Sequence, residues 1–408
     1  MMRKHEHFLL LVTVVSCFLA SSAVVAGDLD IKAVYSDFKF VTPEEMGMDS
    51  SKLNEMDSYI KKSLPDFRSA LVLRNGSLVF EKYYGITGTT RSDIYSVTKS
   101  FMSALIGIAI DKGYIDGVNV PIVEFFPEMT STVDFSIKQF ITLHHVLTMT
   151  TGLEWSELSV GYNDPNNFLF RMWNSPDWVK FVLDQKMVSE PGTTFNYNTG
   201  ASHLLSAIIT EVTGQSTLDF AEKELFEPLG IDPVEWPQDP KGIYRGGEGL
   251  TLTPRSLAKL GQLYLDNGSW DGTQIVPKDW VLESKIDYRP GDHTYGYGYQ
   301  WWIHPDQSIF SAWGFAEQRV IIVPTYNLVS VFTAEMYNAP GDPGGDLVDN
   351  FVIPSIKFFD QTGQPTGSTS AHDNTGTSQH TDLNAAGILP FFLGVIAIKM
   401  MVYSRKKK

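Results

Sequence analysis

At 408 residues the chain is long enough for one large domain or two average ones, and 43% of its residues are hydrophobic, so it can bury a sizeable core. The formal net charge of −15 at pH 7 argues against nucleic acid or another anionic surface as a partner. An acidic, solvated exterior around a globular core is the simplest explanation of this composition.

The first 26 residues have the order of an export signal. A basic start is followed by an apolar centre and by small residues at Val24 and Ala26, which predicts a signal peptide at 1–26 that is cleaved after Ala26. A lipid-modified start at Cys17 is disfavoured because apolar residues continue beyond it. Since Cys17 is the only cysteine, the exported chain is expected to have no disulfide and no cysteine metal site.

The other end of the chain has the composition of a membrane tether. Residues 361–384 are rich in Ser, Thr, Gly and Asp, which indicates a flexible linker. Residues 385–403 are apolar apart from Lys399 and come close to the ~20 residues that span a bilayer, and the basic tail at 404–408 is expected to stay in the cytoplasm. We therefore expect an ectodomain at 28–360 held outside the cell. A terminal helix docked on that domain, or a sorting tail that is later removed, are the alternatives.

Strand patterns lie near both ends of the central region, and helical patterns lie between them. We expect the strands to form one antiparallel sheet of an α+β fold, flanked by N- and C-terminal helices, with a mostly helical lobe at about 112–248 beside it. A cleft between sheet and lobe is a common place for a site. The predicted elements are a helix at 49–64, a hairpin of strands at 69–74 and 77–84 around Asn75-Gly76, helices at 141–149, 177–186, 201–212, 218–226 and 254–267, strands at 295–303, 308–313, 319–323 and 328–334, and a closing helix at 347–359.

The segment at 91–110 contains Ser96-Val97-Thr98-Lys99 and then a long apolar run. If a helix begins near Ser96, the side chain three residues later lies over the same face, so the Lys99 amine can reach the Ser96 hydroxyl. The apolar run would bury the helix and desolvate the lysine, which favours its neutral, proton-accepting form. By itself the pattern is weak, because Ser-x-x-Lys recurs in the chain and Ser96 could be only an N-cap.

Five further segments support the interpretation of Ser96 and Lys99 as a functional pair. Together with the Ser96 tetrad the chain resembles the serine β-lactamase and penicillin-binding protein superfamily, and within it the esterase-like serine hydrolases related to class C β-lactamases and to 6-aminohexanoate-dimer hydrolase. The resemblance implies a β-lactamase-like fold and covers most of the predicted ectodomain. The segments that carry it lie, in the order that the family has them, at 141–155, 191–208, 246–281, 295–302 and 311–324.

The resemblance implies roles for individual residues. Ser96 would be the nucleophile, Lys99 its partner and Tyr197, which opens a Tyr-Asn-Thr-Gly motif, the proton shuttle. A tyrosine with an unperturbed pKa near ~10 would need a cationic neighbour such as Lys99 to make its phenolate accessible. The backbone N–H groups of Ser96 and Phe315 would form the oxyanion hole.

The family's substrate-binding positions are variant in this chain. Its third motif falls on Ala312-Trp313-Gly314, where a lysine or histidine usually stands first and attracts a substrate carboxylate. Many relatives place asparagine two residues after the tyrosine to hold a substrate amide; here Thr199 stands there, beside Asn198. Glu317 is a further departure, since relatives more often have glycine. These changes favour esters or unusual amides over penicillins.

The expected activity is acyl transfer to water on a small ester, amide or peptide substrate, with no cofactor and no metal. A penicillin-binding D-Ala-D-Ala carboxypeptidase or β-lactamase is one alternative, and a binding or sensor ectodomain without turnover is another. His144, His145 and His203 are expected to pack or hydrogen-bond within helices. The chain has neither a His-Glu-x-x-His motif nor a Gly-x-Ser-x-Gly elbow, so a zinc hydrolase and an α/β-hydrolase have no support. The oligomeric state is left open.

Overall fold

The computed structural model describes residues 38–232, 234–304, 308–337, 341–359 and 365–366. The predicted signal peptide at 1–26, membrane anchor at 385–403 and basic tail at 404–408 lie outside these residues, as does the predicted linker at 361–384 except for residues 365–366. None of the helices within the described ranges is both long and apolar enough to cross a bilayer.

A seven-stranded antiparallel sheet, in the order β2-β1-β11-β10-β9-β8-β7, is the centre of the fold. Its strands come from both ends of the described chain, because β1 pairs with β11, and Leu71 lies opposite Val331. The predicted α+β fold is therefore confirmed. The strands are β1 (Phe67–Arg74), β2 (Ser77–Tyr83), β3 (Ser92–Asp93), β4 (Thr251–Leu252), β5 (Ser269–Trp270), β6 (Thr273–Gln274), β7 (Gly296–Tyr297), β8 (Trp302–Ile303), β9 (Phe310–Gly314), β10 (Gln318–Val323), β11 (Leu328–Ala334), β12 (Phe358–Phe359) and β13 (Pro365–Thr366).

Helices cover both faces of this sheet. The α-helices are α1 (Ser50–Ser63), α2 (Thr98–Asp111), α3 (Phe135–Lys138), α4 (Leu143–Leu147), α5 (Phe168–Trp173), α6 (Trp178–Leu183), α7 (Thr199–Thr213), α8 (Thr217–Ala221), α9 (Pro254–Leu265), α10 (Lys278–Ser284) and α11 (Pro343–Leu347). Two π-helical turns, Glu222–Phe226 and Val348–Val352, continue α8 and α11. Short 3-10 helices lie at Glu44–Met46, Tyr95–Val97, Ile122–Glu124, Pro127–Ser131, Pro324–Tyr326 and Ile353–Ser355.

Alternate residues of β1 belong to two different cores. Leu71 and Leu73 pack with the residues of α2, α7 and α9, whereas Ala70 and Val72 pack with those of α1 and α11. Because successive side chains of a strand point to opposite faces, the sheet is buried on both sides. This explains why the strand sequence is almost continuously apolar.

The predicted strand at 295–303 is wrong in its form. Its residues make two short strands, β7 and β8, which fold back on each other with Gly296 opposite Ile303. Between them Gln300 has a φ of 62°, and its buried amide donates to the Leu147 carbonyl at 2.8 Å. A polar anchor of this kind turns the chain without leaving a turn pattern in the sequence.

The predicted closing helix at 347–359 is displaced. Helical structure begins at Pro343 and ends at Ser355, after which Phe358–Phe359 forms β12. The Asp342 carboxylate caps the start by accepting from the Gly345 N–H at 2.8 Å, and proline fits the first helical position that follows it.

Candidate active site

Ser96 lies in the 3-10 turn Tyr95–Val97, immediately before the buried helix α2. The preceding residue, Tyr95, has a φ of 46°, a left-handed conformation that strains a residue with a large side chain. The Asp93 carboxylate holds this conformation by accepting from the Tyr95 N–H at 2.7 Å. The turn therefore fixes the direction in which the Ser96 hydroxyl leaves the backbone.

Lys99 stands one turn further along, and its side chain is only 1% exposed. Its Nζ lies 2.9 Å from Ser96 Oγ, 3.0 Å from Thr199 Oγ1 and 2.7 Å from the carbonyl oxygen of Gly247. The predicted contact between residues three apart is therefore present. The two remaining partners come from the start of α7 and from the loop before β4.

Burial lowers the pKa of the Lys99 ammonium from its usual range to about 8, because a charge without water around it is disfavoured. The carboxylates of Glu157 and Glu248 oppose this shift. Burial in turn raises the pKa of Glu248 to about 7, although Arg245 and Lys99 attract its charge and the Trp173 indole N–H donates to it at 2.7 Å. Burial thus favours the neutral form of both groups, whereas their mutual attraction favours the charged forms.

Glu157 carries the second carboxylate beside Lys99 and is only 3% exposed. Its Oε1 accepts from the Thr199 hydroxyl at 2.6 Å, and its Oε2 accepts from the Thr199 N–H at 2.9 Å and from the Trp155 indole N–H at 2.8 Å. The carboxylate is thus connected to Lys99 through a single hydroxyl group.

The centroid of the Tyr197 ring lies 5.0 Å from Lys99 Nζ, and the Ser96 hydroxyl acts to lower the pKa of the Tyr197 phenol. The Trp302 ring stacks on it with centroids 5.8 Å apart. Burial, and then the charge of Glu157, raise the pKa of Tyr197. Burial thus acts against the phenolate form, and the expectation that Lys99 makes the phenolate accessible stays a prediction.

A cavity of about 270 Å³ opens beside Ser96 and Tyr197. Aromatic and apolar side chains form most of its wall near the serine. Gly314 at the end of β9 permits this geometry, since a Cβ there would lie 2.4 Å from the Ile94 carbonyl oxygen. The wall near Ser96 includes Leu158, Tyr162, Trp302, Trp313, Gly314 and Phe315.

The predicted site residues thus divide into two groups. Ser96, Tyr197, Trp313, Gly314 and Phe315 line the cavity, and Lys99 lies directly behind Ser96. By contrast, the remaining predicted substrate-binding residues are buried and do not line it: Asn198, Thr199 and Ala312.

Asn198 and Thr199 have structural partners of their own. Asn198 is the N-cap of α7, where its Oδ1 accepts from the Ala201 N–H at 2.8 Å. Thr199 bonds Lys99 and Glu157, as described above. The prediction that these residues and Ala312 contact substrate stays a prediction.

The histidines have partners outside the cavity, in line with the packing roles predicted for them. His144 Nδ1 lies 3.1 Å from the Tyr299 hydroxyl, His145 completes the capping box of α4, and His203 Nε2 lies 3.2 Å from the Asp239 carboxylate. Within the described residues, no three His, Cys, Asp or Glu side chains are grouped in a way that could hold a metal ion.

A buried ion cluster holds the turn between β9 and β10. Arg319 is fully buried, donates to the Glu317 carboxylate at 2.9 Å and also pairs with Asp342. Glu317 accepts from the Gly344 N–H at 2.8 Å, so this variant position ties the turn to the start of α11. The Arg319 guanidinium also lies over the Trp313 ring, 3.3 Å from its centroid, and so supports the cavity wall.

Three of the residues around Lys99 were not predicted from the sequence: Glu157, Gly247 and Glu248. Glu157 lies two positions beyond the segment at 141–155, and Gly247 and Glu248 lie inside the segment at 246–281 without a recognised role. A buried acid leaves no periodic pattern, because its burial depends on partners that are distant in the chain. The glycine-rich loop at 246–249 was the one available indication of a close backbone approach.

Comparison with known proteins gives a family match over residues 68–353, to the family described as Beta-lactamase. A 6-aminohexanoate-dimer hydrolase from Paenarthrobacter ureafaciens is 26% identical over 247 residues, which are 57% of this chain and 60% of that protein. Esterase EstB from Burkholderia gladioli is 21% identical over 211 residues, 46% of this chain and 53% of that protein. The chain thus spans less than two thirds of the length of either relative.

Solved structures agree on the fold. A Bacillus anthracis protein provisionally named 6-aminohexanoate-dimer hydrolase superposes with a TM-score of 0.65 at 22% identity, covering 78% of this chain and 87% of that one. A family VIII carboxylesterase superposes with a TM-score of 0.58 at 15% identity, covering 74% and 96%.

The ion cluster generates a prediction about stability. Arg319→Met removes the cation and leaves the buried Glu317 carboxylate and the partly exposed Asp342 carboxylate without it, which we expect to lower the free energy of unfolding by about 3–5 kcal/mol. Urea unfolding followed by tryptophan fluorescence measures the change. Lys52→Met, which breaks a solvent-exposed ion pair with Glu55 in α1, is the control and should change stability little. Equal stability of both variants would contradict the role assigned to the cluster.

Proposed function

We propose that this chain, which belongs to the β-lactamase family of serine hydrolases, is an exported enzyme that hydrolyses a small ester or amide through an acyl-enzyme on Ser96. One observation carries the proposal: a buried amine, Lys99 Nζ, lies 2.9 Å from the hydroxyl of a serine that opens onto a cavity. A serine needs an adjacent base to become a nucleophile, and a desolvated lysine can serve as that base.

The reaction begins with neutral Lys99. Its lone pair takes the Ser96 proton while Oγ attacks the substrate carbonyl carbon, and the N–H groups of Ser96 and Phe315 stabilise the charge on the carbonyl oxygen. The lysine proton then passes, with Tyr197 as donor to the departing group, to the alcohol or amine that leaves. Water attacks the resulting ester of Ser96, and the acid is released as the serine recovers its proton.

The charges around the cavity favour a neutral substrate. Arg289 and His304 are its basic residues, and the Arg289 guanidinium donates to the Tyr295 carbonyl at 2.8 Å. Four acidic residues line the cavity, and even with Arg319 paired to two of them the charges beside it are more negative than positive. A substrate carboxylate would therefore meet mostly like charge. The absence of a lysine or histidine at Ala312 acts in the same direction. The acidic residues of the lining are Glu317, Asp342, Asp346 and Asp349.

Replacement of the nucleophile tests the reaction. Ser96→Ala removes the attacking oxygen, so we expect it to abolish hydrolysis of p-nitrophenyl butyrate and labelling by a fluorophosphonate probe. Absorbance at the p-nitrophenolate wavelength and in-gel fluorescence measure these losses. The control is Ser58→Ala, because Ser58 also begins a Ser-x-x-Lys sequence but lies on α1 and donates to the Asn54 carbonyl at 2.9 Å. Full activity of Ser96→Ala would exclude the proposal.

The same assay separates a neutral-ester hydrolase from a β-lactamase. Nitrocefin carries a carboxylate, and we expect its kcat/KM to be at least about 100-fold below that of the butyrate ester, since juxtaposed like charges cost several kcal/mol. A stable covalent adduct with penicillin, or faster turnover of nitrocefin than of the ester, would instead favour the penicillin-binding or β-lactamase alternative.

The pKa of Lys99 predicts the pH dependence of the reaction. The base must be unprotonated, so kcat/KM should rise with pH and level off above about pH 8, where burial has placed the pKa of Lys99. Ester hydrolysis measured between pH 5.5 and 9.5 gives the rising limb of this pH profile. Glu248→Gln removes an anion that raises the pKa of Lys99, so its limb should move to lower pH. A profile without slope between pH 6 and 8 would rule out Lys99 as the base.

We further propose that the chain is exported and anchored at the cell surface, with the basic tail in the cytoplasm. The support is the order of residues at 1–26 and the apolar stretch at 385–403 before the basic residues 404–408. The full chain should sediment with membranes after alkaline carbonate extraction, and a variant that ends at residue 384 should be released. Recovery of the full chain in the soluble fraction would contradict the anchor.

A further inference from the structure

We infer that Glu157 is a positioning residue which directs the lone pair of Lys99 at the Ser96 hydroxyl, acting through the hydroxyl of Thr199. The inference rests on the proposed function, in which neutral Lys99 is the base. It assigns a role to a buried carboxylate that does not line the cavity and stands apart from the serine, lysine and tyrosine.

The first step is the direction of the Thr199 hydrogen bonds. A carboxylate can only accept, so the 2.6 Å contact between Thr199 Oγ1 and Glu157 Oε1 consumes the single hydroxyl proton of Thr199. Toward Lys99, 3.0 Å away, the same oxygen can then only accept. Glu157 thus makes the threonine an obligate acceptor.

The second step is the assignment of the hydrogen bonds of Lys99 itself. Its partner at 2.7 Å is the Gly247 carbonyl oxygen, which also can only accept. A neutral amine has two N–H bonds and one lone pair. Since Thr199 and Gly247 each require an N–H, the lone pair is left for the third partner, Ser96 Oγ at 2.9 Å. When Lys99 is protonated, its three N–H bonds are donated to Thr199, Gly247 and Ser96. Protonation therefore changes the direction of only one hydrogen bond, the one with Ser96.

The third step is that Glu157 is itself held in place. Its Oε2 accepts from the Trp155 indole N–H and from the Thr199 N–H, which lies in the first turn of α7. The partial positive charge at the N-terminus of that helix favours an anion. Glu248 is the other acid near Lys99. It accepts from the Trp173 indole and pairs with Arg245, so it is not connected to Lys99 through Thr199.

Glu157→Gln is the direct test because it changes one acceptor into a donor. The amide oxygen suits the two N–H donors at Oε2, so the amide N–H₂ faces Thr199 Oγ1 and donates to it. The threonine proton then turns to Lys99 and competes for its lone pair. We expect the plateau kcat for p-nitrophenyl butyrate to fall about 30-fold, with KM changed less than about twofold. This is less than the ~10²–10⁴-fold that general base catalysis contributes, because the base is misdirected and not removed.

The pH profile gives a readout that a merely structural role would not move. Lys99 faces Glu157, Glu248 and Tyr197, and the charge of Glu157 raises the pKa of Lys99. Loss of that charge should shift the limb of kcat/KM to lower pH while the plateau falls. Glu154→Gln is the matched control, because Glu154 is partly exposed and pairs with Lys186; it should change neither quantity.

Thr199 variants test the connection. Thr199→Val removes the hydroxyl and should reduce kcat about as much as Glu157→Gln, whereas Thr199→Ser keeps the hydroxyl and should retain most of the rate. In the double variant, Glu157→Gln should cost nothing beyond Thr199→Val, since a residue that acts through another adds no further loss. Thermal melts verify that each variant is folded, and if Glu157→Gln is not, the two Thr199 variants decide.

Three results would overturn the inference: an unchanged plateau in Glu157→Gln, a further loss of similar size when that change is added to Thr199→Val, or equal rates for Thr199→Val and Thr199→Ser. Each of these is distinct from failure of the proposed function, which would appear as activity that survives Ser96→Ala.

Discussion

The site depends on one constraint: an amine taken out of water must find an acceptor for every proton it carries. Lys99 meets this constraint with Ser96, Thr199 and Gly247, which reach it from three separate segments of the chain. Burial moves the pKa of the lysine towards neutrality, and the nearby carboxylates of Glu157 and Glu248 keep the charged form accessible. The proposed chemistry at the serine therefore depends on groups that do not line the cavity.

The surrounding fold holds those segments in place. The glycine at position 314 allows β9 to approach the turn before α2, and the ion cluster around Arg319 ties the turn after β9 to α11. Glu317 departs from the family pattern and has no role evident in the sequence, and it contributes to this connection. Arg319 and Glu317 are buried charges and are tolerated only because each has its partners, so the cavity wall and the stability of α11 depend on the same ions.

Much of the fold could be predicted from local patterns. The Asn75-Gly76 turn, the apolar strands and the buried helix after Ser96 all have short-range signatures, and the family resemblance implied the β-lactamase-like fold. The pair of Ser96 and Lys99 was predictable because helical geometry fixes a spacing of three. Glu157 was not, since its importance comes from Thr199, which is 42 residues away. The raised pKa of Tyr197 also required the structure, because it comes from burial and from the charge of Glu157.

The pairing of β1 with β11 has a consequence for how the molecule is made. Ser69 and Thr333, whose hydroxyl groups lie 2.6 Å apart in the middle of the sheet, are separated by 264 positions in the chain. Loop closure over such a length must precede the contacts that reward it, so strand pairing of this kind is slow. The central sheet cannot close while a ribosome still holds the last strands, so β1 and β2 lack their partner β11 during most of synthesis.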